Sequence, residues 1–173
     1  EAKLPRIHDI PLDQIDDFPD HPFKVKLDED MDQLVQSIKD RGIITPVTLR
    51  QKEDGRYEIV SGHRRKKACE LAGLTTVKAE VIQLSRDEAV ILMVESNLQR
   101  SKILPSEKAF SYRMRLEAMK RQGKRNDLTS VPVGQKLGQT AREQLAQVSP
   151  DSNTQIQRYI RLTHLLPEML QKV

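Results

Sequence analysis

The sequence predicts an α+β chain: a small mixed α/β domain over residues 1–102, then an all-α domain over residues 103–173. Three observations carry this expectation. Strand-like alternation and helix-like periodicity interleave through the first hundred residues, no strand pattern follows Ile103, and the charge balance inverts along the chain. Residues 1–60 carry 9 Lys/Arg against 14 Asp/Glu, whereas residues 61–173 carry 20 against 11. A basic second part points toward polyanions such as nucleic acid or nucleotide, although Lys and Arg also solvate ordinary helices.

The elements follow in order. The opening "IHDIPLDQIDDFPDHPF" is extended, because Pro11, Pro19 and Pro22 disfavour helix. Asp28 caps a helix in which Met31, Leu34, Val35 and Ile38 recur on one face, with Gly42 as its stop. "ITPVTLR" and "RYEIV" are two strands joined by a turn at Asp54-Gly55. A helix then runs to Gly73, and "TVKAEVIQL" alternates as a strand. Ser85 and Glu88 suit a capping box for a helix reaching about Gln99. Ser106 is the expected cap of the next helix, closed by Gly123, and "GKRNDLTSVPVGQK" reads as a polar link. Three further helices are expected: Val133–Leu137, Ala141–Val148 and Asn153–Leu165.

Composition narrows the class. With 31% charged residues and no long apolar run, the chain is expected to be soluble and cytoplasmic, with no membrane partner. No leader pattern argues for export. One cysteine excludes an internal disulfide, and four scattered histidines give no zinc spacing.

The stretch "VSGHRRKKACELAG", Val60 to Gly73, places four cations behind a Ser-Gly turn at a helix start. Free N–H groups at such an end converge on one point, and the helix dipole adds partial positive charge. Gly62 permits close backbone approach, and Arg64 and Arg65 offer bidentate donors for phosphate oxygens. This is a plausible phosphate cradle; a solvated basic face is the alternative. Cys69 falls on the opposite, core-facing side with Ala68 and Ala72. In "VESNLQRSKILPSEKAFSY", Glu95, Asn97, Gln99 and Arg100 crowd a helix end, where oxygen donors beside an Arg can hold hydrated Mg²⁺ and a phosphate tail, or simply cap the helix.

"AREQLAQVSPDSNTQIQRYIRL" fits helix-turn-helix spacing over about residues 141–165, with Ala146 at the crossing, Pro150 where glycine is usual, and Ile156 buried. Ser152, Asn153, Thr154, Gln155, Gln157, Arg158 and Arg161 are left to reach bases and phosphates. Upstream, Arg113, Arg115, Lys120, Arg121, Lys124 and Arg125 either track a phosphate backbone or face solvent.

"SGHRRKKA" and "SNLQRSKILPSEKA" together resemble the two signature boxes of the ParB family of DNA-partition proteins, written G-E-R-R and E-N-x-Q-R. The boxes lie in order, at the expected separation, ahead of the helix-turn-helix, so the resemblance spans essentially the whole chain. It implies a CTP site: Ser61, Gly62, His63, Arg64, Arg65 and Arg100 around the triphosphate, Thr45 and Pro46 lining the base pocket, and Asn97, with Glu95 beside it, for Mg²⁺. Two positions depart from the boxes. His63 and Ser96 stand where the family has glutamates, which favours binding over hydrolysis to CDP and phosphate.

The resemblance further implies a palindromic double-stranded DNA site, a homodimer that CTP and Mg²⁺ close into a clamp, a ParA-type partner ATPase, and association with a nucleoid or plasmid. It also implies a C-terminal dimerisation domain, which this chain is expected to lack. Rival readings are a repressor or nucleoid-associated protein with a vestigial pocket, and a ParB-related small-molecule kinase. Sulfiredoxins resemble the α/β unit, but Gly62 stands at their cysteine.

Overall fold

A computed structural model describes residues 6–98, 103–129 and 151–164. It divides into two compact units, Glu1–Ser85 and Arg86–Val173. The first is mixed α/β and the described part of the second is helical, as the sequence predicts.

In the first unit the proline-rich opening is extended and yields β1 (Ile7–Pro11), a 3-10 turn (Leu12–Gln14) and β2 (Ile15–Asp16). Asp28 caps α1 (Glu29–Arg41), its Oδ1 accepting the Met31 amide at 3.1 Å. Acidic residues fill the first turn of α1 and basic ones the last, both complementing the dipole. Gly42, at φ +72°, ends the helix. β3 (Val47–Gln51) and β4 (Tyr57–Ser61) form the expected hairpin, and α2 (His63–Leu71) and β5 (Thr76–Ile82) follow.

The sheet order is β1-β5-β3-β4-β2, with β1–β5 and β3–β4 antiparallel and β5–β3 and β4–β2 parallel. Central strands bury most: Val47, Leu49, Ile59, Val77 and Ala79 close the sheet face over Met31 and Ile38 of α1 and Ala68 and Cys69 of α2. Edge strand β2 is two residues long, and side-chain bonds hold it. Asp16 accepts from Arg56 and Lys52, which hold its carboxyl far below the usual carboxylate range. Between β3 and β4 the register slips, from Leu49↔Ile59 to Thr48↔Ser61. Such an irregularity re-aims the chain, here where β4 enters the Ser61-Gly62 turn.

Cys69 is fully buried, and burial pushes its thiol up to about 11. The thiolate is the reactive form, so the folded chain should resist alkylation at pH 8 and react at the free-thiol rate once unfolded. Rapid labelling under native conditions would contradict this packing.

The division at Ser85 falls ahead of α3 (Arg86–Leu98), which packs on α4 (Pro105–Thr129); α5 (Asn153–Leu162) also packs on α4. Two expectations are corrected here. Leu104, not Ser106, is the N-cap of α4: its carbonyl accepts the Lys108 amide at 2.9 Å, and Glu107 Oε2 reaches back to its N–H at 3.2 Å. Pro105 takes the first helical position, where a missing N–H costs nothing. Nor does Gly123 end the helix, which continues to Thr129 and absorbs the first part of the predicted link. One glycine costs a helix only about 1 kcal/mol relative to alanine, and the flanking Gln, Lys and Arg are good helix formers. The predicted helices at Val133–Leu137 and Ala141–Val148, with Ala146 and Pro150, lie outside the described residues, as does Arg100.

Candidate nucleotide and nucleic-acid sites

β4 ends at Ser61, and Gly62 turns the chain into α2 with φ +99° and ψ 24°. A Cβ there would stand 2.8 Å from Val47 Cγ1 and 3.2 Å from Val47 Cβ. Only glycine fits, on conformation and on space. No side chain caps α2, which leaves the amides of Arg64 and Arg65 to an external acceptor. The turn is therefore built as the sequence suggests: a tight glycine bend delivering a helix N-terminus.

The two arginines do different things. Arg65 turns inward, donating from Nη1 to the carbonyls of Thr45 at 2.7 Å and Pro46 at 2.6 Å. Burial disfavours its charge and lowers its pKa, although an arginine stays protonated. The structure thus brings Thr45, Pro46 and Arg65 together. Beside them is a cleft walled by Leu34, Ile38, Ile43, Ile44, Thr45 and Arg65. Arg64 is a third exposed and loosely held by Asp28 Oδ1 at 3.4 Å, so it remains available to a ligand. His63 is buried, its ring stacked on His21 with centroids 3.7 Å apart. Lys66 is nearly buried as well, in a 2.7 Å ion pair with Asp17.

Sequence reading missed three of these partners: Asp28 for Arg64, His21 for His63 and Asp17 for Lys66. Each lies dozens of residues upstream, and no local window links them. The proline-rich composition of 11–22 was the single available sign of a fixed, non-helical path.

In the second unit Asn97 is buried and donates from Nδ2 to the Met93 carbonyl at 2.7 Å. Ser96 Oγ donates to the same carbonyl at 2.9 Å. Glu95 pairs with Arg115, whose side chain is almost wholly buried. Among the described residues no group of three or more His, Cys, Asp or Glu is placed to hold a metal ion. Three basic residues of α4 have acidic partners: Arg113 pairs with Glu117 at 3.0 Å, Arg115 with Glu95, and Arg121 with Asp87 at 2.8 Å. Arg115 is thereby withdrawn from solvent, whereas Arg113 and Arg121 stay about half exposed on the helix surface.

Helix α5 opens with a full capping box: Gln155 N donates to Ser152 Oγ at 3.4 Å, and Gln155 Oε1 accepts the Ser152 amide at 3.0 Å. Ile156 is its buried anchor, as expected. Asn153, Thr154, Arg158 and Arg161 are exposed, with Thr154, Arg158 and Arg161 sharing one face. Gln157 is half-buried. Asp151 docks this helix on α4, its Oδ2 accepting from Tyr112 Oη at 2.6 Å and Lys108 Nζ at 2.8 Å.

The chain is similar in sequence and fold to known proteins. The chromosome-partitioning protein Spo0J of Thermus thermophilus is 34% identical over 175 residues, covering 99% of this chain and 57% of that protein. A C-terminally truncated chromosome-partitioning protein ParB from Caulobacter crescentus, complexed with CTP-γ-S, matches with a TM-score of 0.50 at 26% identity, over 96% of this chain and 83% of that one. The truncated protein complexed to the centromeric parS site matches with a TM-score of 0.57 at 25% identity, over 96% and 76%. The chain spans about half the length of the curated relatives it matches. No described helix is long and apolar enough to cross a membrane. The family model for the ParB N-terminal domain matches residues 1–98, more than half of the chain, and on that ground the chain belongs to the ParB family.

Proposed function

We propose that this chain is the nucleotide- and DNA-binding part of a partition protein, which recognises a centromere-like palindrome and uses CTP with Mg²⁺ to favour a clamped homodimer on DNA. One observation carries the nucleotide half. The Gly62 bend admits no side chain, and it sets an uncapped helix N-terminus beside a loosely held Arg64, donors that suit a triphosphate. The CTP-γ-S complex of the similar Caulobacter protein supports the same assignment.

In this reading Ser61, Gly62, His63 and Arg64 hold phosphates, with Arg100. Arg65 fixes Thr45 and Pro46 as a wall of the base pocket. Asn97 is the protein donor for Mg²⁺, which otherwise takes phosphate oxygens and water. Glu95, two positions away on α3 and so about 200° round the helix, is held by Arg115 and would join the ion only if that stretch of helix rearranged. Neither His63 nor Ser96 offers a carboxylate, so CTP turnover is expected to be slow or nil. The helix-turn-helix spans about residues 141–165, with Arg158, Arg161, Thr154 and Asn153 reading DNA and Ser152, Gln155 and Gln157 beside them. The domain limits 1–102 and 103–173, a ParA-type ATPase partner and a nucleoid or plasmid address belong to the same proposal.

Calorimetric titration with CTP, ATP and GTP in Mg²⁺, alongside DNA-binding assays, tests it. Arg64→Ala should weaken CTP binding about 10- to 100-fold, the worth of a charge-assisted phosphate contact, and leave DNA affinity within about twofold. Arg158→Ala should do the reverse, relaxing site preference or reducing the salt slope by about one. Arg158 is the better probe than Gln155, whose loss would also uncap α5. If each variant lost both activities equally, the two-site reading would fail. A repressor with a vestigial pocket draws on one observation, the engagement of Arg65 by backbone carbonyls, and predicts no heat with any nucleotide.

A further inference from the structure

The segment between β2 and α1 folds back over the start of α2. Phe18 and Phe23 are buried, Asp17 accepts from Lys66 Nζ at 2.7 Å, and His21 lies against His63 with ring planes 33° apart. Phe23 meets the His21 ring edge-on at 5.6 Å. Two imidazoles are thus stacked at the helix end that holds the proposed phosphate cradle. We propose that this histidine pair makes nucleotide affinity proton-coupled, so that binding tightens as the pH falls through the imidazole range. The inference rests on the nucleotide reading above.

The charges around the pair in this unit set the direction. Arg64 and Lys66 share α2 with His63, and the helix N-terminus adds partial positive charge. Of the acids, Asp17 is neutralised by Lys66, Glu70 lies 3.4 Å from the same ammonium, and Asp28, the N-cap of α1, faces Arg64. Asp20 precedes His21 in the folded-back segment. Rings 3.7 Å apart cannot both be charged cheaply, so the pair takes its protons in two separated steps. A triphosphate bound at this end reverses the sign of the local field and favours imidazolium. Binding therefore takes up a proton, and protons in turn strengthen binding.

The experiment is CTP titration of the chain and of the double variant His21→Gln/His63→Gln at pH 6 and pH 8, in buffers of differing ionisation enthalpy. The double variant keeps two planar polar groups in contact but removes both titrating rings. The ratio of the two proteins' affinities cancels the nucleotide's own phosphate titration. Relative to the variant, the parent chain should gain roughly tenfold in affinity from pH 8 to pH 6, the equivalent of one pKa unit, with net proton uptake near neutrality. NMR titration of the ligand-free chain should show the two imidazoles titrating in separated, mutually dependent steps, a readout that does not require nucleotide. Parallel pH profiles with normal CTP binding, or two independent titrations at the ordinary histidine value, would overturn the proton coupling alone. No CTP binding at either pH would overturn the nucleotide reading as well.

Discussion

Gly62→Ala is expected to give the largest loss of stability in the first unit, and to take nucleotide binding with it. Two effects combine. An alanine at φ +99° sits in a region that L-residues avoid, at a cost of about 1–2 kcal/mol. Its Cβ would also fall 2.8 Å from Val47 Cγ1, and Val47 is fully buried between strands with no room to give. Overpacking of that kind adds about 1–3 kcal/mol. A total near 3 kcal/mol should lower the melting transition by more than about 10 °C. Gly55→Ala is the control, since Gly55 has a similar φ of +83° but nothing within 4 Å of the added carbon. It should show only the conformational part, about 1 kcal/mol. Equal losses for the two variants would mean that the close approach to Val47 does not matter, and that this turn is no more constrained than an exposed hairpin.

The second large effect is expected at Asp151. Burial pushes its carboxyl up, but hydrogen bonds from Lys108 and Tyr112 outweigh this and leave it below the usual carboxylate range. Asp151→Ala strips a bond from the fully buried Tyr112 and the ion pair from Lys108, at a cost of about 2–3 kcal/mol. Because Asp151 directly precedes the Ser152 cap, the loss should loosen α5 from α4 and weaken DNA binding about tenfold or more. Asp151→Asn keeps an acceptor for the tyrosine and should fall between. The folded-state pKa lies below the unfolded value near 3.9, so the contribution is complete above that pH and is lost as the pH falls through the folded value. Acid unfolding of the parent chain should thus start at higher pH than that of Asp151→Ala once their neutral-pH stabilities are allowed for. Identical acid profiles would show that the carboxylate does not hold the helix.

Local chemistry was enough for most of the first unit. Asp28 and Gly42 bracket α1, Asp54-Gly55 closes the hairpin, and Ser61-Gly62 ahead of His63 announces the bend, because each signal acts within a few residues of the backbone it directs. The capping box at Ser152 was missed as such, although Ser followed by Gln three residues later is its local mark. The end of α4 misled for a different reason. A glycine only biases a helix, and the cost at Gly123 is smaller than what its neighbours supply.

What the sequence by itself determined is the list of chemical groups: the glycine bend with its arginines, the ESNLQR box, and an amphipathic helix with a polar outer face. What only the tertiary structure decided is how each group is used. Arg65 and Arg64 are adjacent and chemically identical, yet one is turned onto the Thr45 and Pro46 carbonyls and the other is left beside Asp28. Glu95, marked by the sequence for a metal, rests on Arg115, and His63 rests on His21. Side-chain direction is set by which surfaces the fold presses together, and a charge will pair with whatever opposite charge that packing brings within reach. Such partners come from distant parts of the chain, where periodicity and spacing carry no information.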